Sequence, residues 1–240
     1  LQRAREAGAI DDAEYAELVR SLQDEIRAGE VFQIVPSRTF RAPCADPHRA
    51  YARLRAANPS PYMFLFDAGD FTLFGASPET AVQVKQGVTG LEVRLTPIAG
   101  TRPRGRGADG RLDLDADGRF EAELRLHEKE NAEHMMLVDL ARNDVARVSR
   151  SGTRYVSKLL EVVRYAHVMH LVSEVRGELR DGFDALRAYQ ACMNMGTLTG
   201  APKVRAAQLL RERERTRRGP YGGAAFVLGY GGELDSSIVI

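Results

Sequence analysis

Glu123, His127, Glu130 and His134 follow one another at steps of four, three and four residues. On a continuous helix that spacing aligns them on one face. Glu133 sits one position from the line. Glu130 and Glu133 are three apart, so both carboxylates could approach one hard cation. Mg²⁺ takes oxygen ligands and keeps water or substrate oxygens around it. The same spacing also describes a solvated charged face, with Arg125 and Lys129 as neighbours. Spacing by itself leaves both readings open.

A second candidate is Gly196-Thr197-Leu198-Thr199-Gly200-Ala201-Pro202-Lys203. A Walker loop requires Gly-Lys-Ser/Thr, and here Ala201-Pro202 intervenes, so nucleotide phosphate binding is rejected. Free N–H groups ahead of Pro202 could still receive a carboxylate, or the segment is an ordinary tight helix start. In Pro97-Ile98-Ala99-Gly100-Thr101-Arg102-Pro103-Arg104-Gly105, Gly100 would let backbone approach a ligand and Thr101 would offer a hydroxyl; a plain strand-end turn is the alternative. Arg102, Arg104 and Arg106 lack interleaved aromatics, and Asp109, Asp113, Asp115 and Asp117 offset their charge, which argues against nucleic-acid binding. His167 and His170 would face opposite sides of a strand, which argues against a two-histidine metal site. No Gly-x-Ser-x-Gly elbow occurs. The chemistry legible in these residues is an acidic, metal-assisted site for a carboxylate ligand.

The elements that must carry these groups are read from pattern. Asp11 and Glu14 form a capping-box pair before an apolar stripe of Tyr15, Leu18, Val19, Leu22 and Ile26, with Gly29 as the stop. Val31–Val35 reads as a short strand, and Asp46-Pro47 opens a helix to about Ala57. Tyr62–Phe66 and Phe71–Gly75 read as a hairpin, and Thr80–Val84 and Leu91–Thr96 as further strands. Arg102 to Gly118, rich in Gly, Arg and Asp, is expected to be a mobile loop. One long helix is expected from Phe120 to Asp144. Strands follow at Arg154–Leu160 and His167–Val175, helices at Phe183–Cys192 and Pro202–Arg213, and strands at Ala224–Tyr230 and Leu234–Ile240. Adjacent strand runs with helices interspersed favour an α+β fold with antiparallel sheets over a doubly wound parallel one. No repeat or linker stands out, so residues 1–240 are expected to form one partial domain.

Composition excludes several classes. The chain has 240 residues, 44% hydrophobic and 28% charged, with 34 Lys plus Arg against 33 Asp plus Glu. A net charge of +1 gives no overall pull toward nucleic acid or acidic membranes. No apolar run approaches the ~20 residues of a membrane span. Cys44 and Cys192 stand far apart and outside any CxxC pattern, so a cytoplasmic location is expected. Leu1 to Gly8 carry no apolar leader and no initiator Met, and Ser236 to Ile240 reads as a strand cut in mid-run. The sequence is therefore read as a piece of a longer chain.

Seven motifs occur in order: Phe32-Gln33-Ile34-Val35-Pro36-Ser37, Asn58-Pro59-Ser60-Pro61-Tyr62-Met63, Gly75-Ala76-Ser77-Pro78-Glu79, Pro97 to Gly105, His134 to Asp144, Gly196 to Ala206, and Gly219-Pro220-Tyr221-Gly222-Gly223. Together they resemble the chorismate-utilising enzymes over essentially the whole chain, specifically the anthranilate synthase component I branch of enteric bacterial type. The resemblance implies two packed antiparallel β-sheets surrounded by helices. It implies conversion of chorismate and ammonia to anthranilate and pyruvate, with Mg²⁺ on the ring carboxylate and ammonia supplied by a glutaminase subunit, component II. It assigns Glu130 and Glu133 to Mg²⁺ and Glu79 to protonation of the departing C4 hydroxyl. His170 would assist pyruvate elimination, while Gly100, Thr101, Thr197 and Tyr221 would contact chorismate. Pro61, Tyr62 and Met63 match a segment that contacts the inhibitor L-tryptophan in the complete protein.

Two positions discriminate within that family. Isochorismate and salicylate synthases carry a Lys base where this chain has Gln33, and aminodeoxychorismate synthases commonly carry a Lys nucleophile where it has Ala99. Both differences favour ammonia as the nucleophile and anthranilate as the product. A 2-amino-2-deoxyisochorismate synthase, stopping before elimination, is the alternative, and a non-catalytic ligand-binding module of the same fold is a second. Family members continue past the position of Ile240 with an Arg, a Gly-rich loop, more metal-ligating glutamates and a Lys. The 240 residues alone are therefore expected to show little turnover.

Overall fold

The computed structural model describes residues 10–240, so the reading of Leu1 to Gly8 lies outside them. Along the chain run α1 (Asp12–Arg27), β1 (Gln33–Ile34), α2 (Pro47–Ala57), β2 (Tyr62–Asp67), β3 (Thr72–Ser77), β4 (Thr80–Gln86), β5 (Leu91–Leu95) and β6 (Ile98–Pro103). Next come α3 (Leu114–Leu126), α4 (Glu128–Val148), β7 (Tyr155–Arg164), β8 (Val168–Glu178), α5 (Ala185–Cys192) and α6 (Gly196–Thr199). The last are β9 (Gly200–Ala201), α7 (Lys203–Arg213), β10 (Ala224–Leu228) and β11 (Leu234–Ile238). They divide into two compact units, one drawn from Leu1–Pro78, Met193–Ala225 and Ser237–Ile240, the other from Glu79–Cys192 and Phe226–Ser236.

In the first unit α1 starts as expected: Asp11 accepts from the Glu14 N–H at 2.9 Å, and Glu14 accepts from the Asp11 N–H at 3.0 Å. Its apolar stripe buries Leu22 with Val31 and with Ala206, Leu209 and Leu210 of α7, flanked by Leu18 and Ile34. Only Gln33 and Ile34 of the expected Val31–Val35 strand pair, with Ala201 and Gly200 of β9. Gly200 adopts φ +131°, and a side chain there would press on the Gln33 backbone and the Ala206 Cβ. Asp46 caps α2 through the Arg49 N–H at 2.9 Å. β2 and β3 form the expected antiparallel hairpin, from Tyr62 opposite Ser77 to Asp67 opposite Thr72.

The second unit is built on a seven-stranded sheet of order β10-β11-β4-β5-β8-β6, with β7 also paired to β8. β8 is its organising strand and pairs antiparallel with β5, β6 and β7. Leu124 of α3 packs with Met169 and Leu171 of β8, flanked by Phe120, Leu160 and Val162. The α+β class and the antiparallel pairing agree with expectation. The described residues form one large sheet and two two-stranded ones.

Two expectations fail. The single helix Phe120–Asp144 is broken at His127, whose ψ of 103° leaves the helical region. His127 Nδ1 caps α4 by accepting from the Glu130 N–H at 3.4 Å, and the Asn131 amide donates to the Arg125 carbonyl of α3 at 2.8 Å. The break thus satisfies backbone groups on both sides of it. The expected mobile loop Arg102–Gly118 instead contains the end of β6 and the first turn of α3. Its fixed point is Asp117, only 3% exposed. Asp117 takes Arg104 through both carboxylate oxygens at 2.8 and 3.1 Å and also accepts the Gly105 N–H at 2.8 Å. Among the described residues, no helix is long and apolar enough to cross a membrane.

Candidate active site

Gly100 sits at a β-bulge where the β6–β8 register shifts between Ala99 and Thr101. A bulge re-aims the residues beside it. Thr101 comes to lie opposite His170, its Oγ1 3.0 Å from the imidazole Nδ1, and the Gly100 carbonyl is 3.1 Å from the same nitrogen. A carbonyl can only accept, so Nδ1 carries the proton and Nε2 presents its lone pair. Burial pushes the His170 pKa down, against the opposing pull of the Gly100 carbonyl, which favours the neutral ring. The ring is met at its side by Tyr165, 5.5 Å between centroids at 61°. Burial, and then the nearby Glu79 charge, push the Tyr165 phenol up. Glu79 itself is 8% exposed.

The helix carboxylates lie beside the same bulge. A Cβ on Gly100, which holds φ at +75°, would stand 3.0 Å from Leu124 Cδ1 and 3.3 Å from Glu130 Oε2. The glycine therefore admits β6 close to Glu130. Arg102 bridges Glu123 at 2.8 Å and Glu130 at 3.3 Å and returns a third bond to the Thr101 carbonyl at 2.8 Å. Burial works against the Arg102 charge, but the bonds to Glu123 and Glu130 outweigh it and its pKa rises. Glu133 is half-buried one turn further along α4. The four-residue face expected from spacing is not formed: His127 is a cap, and His134 is fully buried with Nε2 2.6 Å from Ser173 Oγ. Glu123 rejoins Glu130 only through Arg102.

Among the described residues no three His, Cys, Asp or Glu side chains gather where they could hold a metal ion. Glu130 and Glu133 supply two hard oxygen donors. That donor set fits Mg²⁺ as part of a shell, since this ion keeps water and substrate oxygens.

In the first unit, Arg218 ties together two further candidates. It donates to the Leu198 carbonyl at 2.6 Å, next to Thr197, and its guanidinium lies 5.6 Å from the Tyr221 ring centroid. Glu214 holds the same guanidinium at 2.6 and 2.8 Å. The Thr197 hydroxyl is buried and has no hydrogen-bond partner among the described residues. Tyr62 and Met63 begin β2 opposite Ser77 and Ala76, with Pro61 exposed just ahead of them.

The chorismate binding enzyme family model matches residues 2–240. The chain belongs to that family. It is 64% identical over 231 residues to the pyocyanine-specific anthranilate synthase component 1 of Pseudomonas aeruginosa, covering 96% of this chain and 43% of that protein. It is 60% identical over 231 residues to anthranilate synthase component 1 of Vibrio cholerae, covering 96% of this chain and 44% of the relative. The crystal structure of anthranilate synthase component I from Streptococcus pneumoniae superposes with a TM-score of 0.85 at 38% identity, covering 96% of this chain and 49% of that one. The chain thus spans less than half the length of the curated relatives it matches.

Tyr165, Arg102 and Arg218 were not among the residues singled out for this family's site. In the sequence Tyr165 is marked by nothing but its nearness to His167 and His170, and Arg102 by its place in a basic cluster. Arg218 lies in the run Arg215 to Arg218, where nothing in the spacing separates the half-buried arginine from its exposed neighbours Arg215 and Arg217.

Proposed function

We propose that the chain carries the central part of an anthranilate synthase component I, acting on chorismate and ammonia in tryptophan biosynthesis. The observation that carries this reading is the 60–64% identity to relatives bearing that name. The acid–base geometry of the second unit supports it. Ammonia attacks C2 of chorismate, the C4–O bond breaks, and the buried Glu79 delivers the proton with which the hydroxyl leaves as water. His170, neutral and with Nε2 open, then accepts the C2 proton as the C3–O bond breaks. Enolpyruvate departs, becomes pyruvate, and the ring becomes aromatic. Thr101 and Gly100 hold the His170 ring and are chorismate contacts in the second unit; the resemblance assigns Thr197 and Tyr221, in the first unit, to chorismate as well. Glu130 and Glu133 would hold Mg²⁺, which when bound neutralises and orients the ring carboxylate. Ammonia from a glutaminase partner, inhibition by L-tryptophan through Pro61, Tyr62 and Met63, and a cytoplasmic location belong to the same reading.

The test uses this chain joined to the flanking segments of the Pseudomonas aeruginosa relative, supplied with chorismate, Mg²⁺ and ammonium salt. Glu79→Gln is expected to slow chorismate consumption by about 10²–10⁴-fold, the usual worth of a positioned proton donor. His170→Gln is expected to accumulate 2-amino-2-deoxyisochorismate ahead of anthranilate. Normal turnover in both variants contradicts the assigned roles.

A further inference from the structure

The turn joining β7 to β8 is held from one side. Arg104 donates to the Tyr165 carbonyl at 2.8 Å through its guanidinium and to the His167 carbonyl at 3.0 Å through its main-chain N–H. The Tyr165 N–H closes the turn on the Val168 carbonyl at 2.8 Å. Arg104 is itself fixed by the bidentate pair with buried Asp117, which also accepts from Arg164 at 3.3 Å. Gly105 completes the clasp: a Cβ there would fall 2.6 Å from the Ala116 carbonyl carbon and 2.7 Å from the Asp113 oxygen, so only glycine lets the strand end lie on the start of α3. All these contacts lie within the second unit.

The side chain that this clasp presents is Tyr165, and its ring abuts His170. Gly100 and Thr101 hold only the Nδ1 edge of the imidazole. A ring held at one edge can still rotate about χ2, which has a broad torsional profile for histidine. A packed aromatic neighbour removes that freedom.

We propose that Tyr165 is a positioning residue for His170: clasped by Arg104 and Asp117, its ring confines the imidazole to the orientation in which Nδ1 donates to Gly100 and Nε2 is open to a ligand. The catalytic consequence rests on the reading of His170 given above; the confinement does not. It makes the β7–β8 turn part of the reaction site, and gives the Arg104–Asp117 pair a role beyond holding the fold.

The test separates the two layers. With five histidines in the chain, long-range ¹H–¹⁵N spectra of the 240-residue protein resolve each ring, and His170→Gln identifies the relevant signals. His170 is expected as a single Nδ1–H tautomer, unchanged in Tyr165→Phe and averaged between tautomers in Tyr165→Leu. His134, buried in the same unit, serves as the folding control and keeps its signals. A single Nδ1–H tautomer persisting in Tyr165→Leu overturns the proposal. If Tyr165→Leu does not fold, ring-to-ring NOEs between Tyr165 and His170 in the unsubstituted chain decide: their presence is expected and their absence overturns it. In the chain joined to its relative's flanking segments, Tyr165→Leu is expected to lower kcat about tenfold or more with little change in KM, as misorientation of a reacting group does. Tautomer averaging without any loss of kcat leaves the confinement standing and removes His170 from the proton transfer.

Discussion

Gly100 holds φ at +75° with Leu124 Cδ1 and Glu130 Oε2 directly over the place of its missing Cβ. Gly100→Ala therefore adds left-handed strain and a contact that must push either α3 or the Glu130 carboxylate aside. The expected cost is about 1–2 kcal/mol of unfolding free energy. Mg²⁺ affinity should weaken with it, because the displaced group is one of the two helix carboxylates. Urea unfolding of the 240-residue chain, and Mg²⁺ titration calorimetry on the chain joined to its relative's flanking segments, check the two parts. An alanine variant equal to the parent in both would show that the bulge is not under the close contact described. At this scale the sequence was most legible where a motif combined residue type with backbone demand. Gly100, Thr101 and His170, singled out separately, meet at one imidazole nitrogen. Tyr165 was not legible, because its contact with His170 depends on how a turn folds back on a strand.

The elements were read well where the signal is local. The capping box of α1, the Asp46 cap of α2 and the β2–β3 hairpin lie where short-range chemistry puts them. The break at His127 went unseen because no Gly or Pro marks it. A histidine ring and an asparagine amide replace the lost helical bonds, and neither residue type announces a cap at that place. The stretch Arg102–Gly118 misled in the opposite direction. Its Gly, Arg and Asp content resembles a loop, yet its charges are partners across a fold. Arg104 and Arg164 meet on Asp117, and Arg164 also meets Glu121. The Arg104 bond, against a smaller cost of burial, pulls the Asp117 pKa down from 3.8 to about 2. A carboxylate with a depressed folded pKa stabilises fully above its unfolded value, and that contribution disappears as pH falls through the folded one. The unfolding free energy should therefore drop between about pH 4 and pH 2 in the parent and drop less in Asp117→Asn, which starts from a lower stability at pH 7. Thermal melts across that range measure it; parallel pH profiles for the two proteins would contradict the clasp.

At the scale of the molecule, the family was legible because seven ordered motifs run from Phe32 to Gly223, and the family match covers nearly every residue. What spacing could not supply was a donor count for the proposed Mg²⁺. Of the four-residue face only Glu130 stays on α4 beside the bulge; Glu133 lies off that line, and no third His, Cys, Asp or Glu gathers with them among the described residues. Mg²⁺ binding by the 240 residues alone is accordingly expected to be weak, with turnover low or absent. The most direct measurement follows anthranilate fluorescence and pyruvate release from chorismate, Mg²⁺ and ammonium salt, for the 240-residue chain and for the same chain within its Pseudomonas aeruginosa relative's flanking segments. Equimolar anthranilate and pyruvate are expected from the joined protein. Isochorismate or 2-amino-2-deoxyisochorismate as the end product, or no consumption of chorismate, would contradict the proposed function.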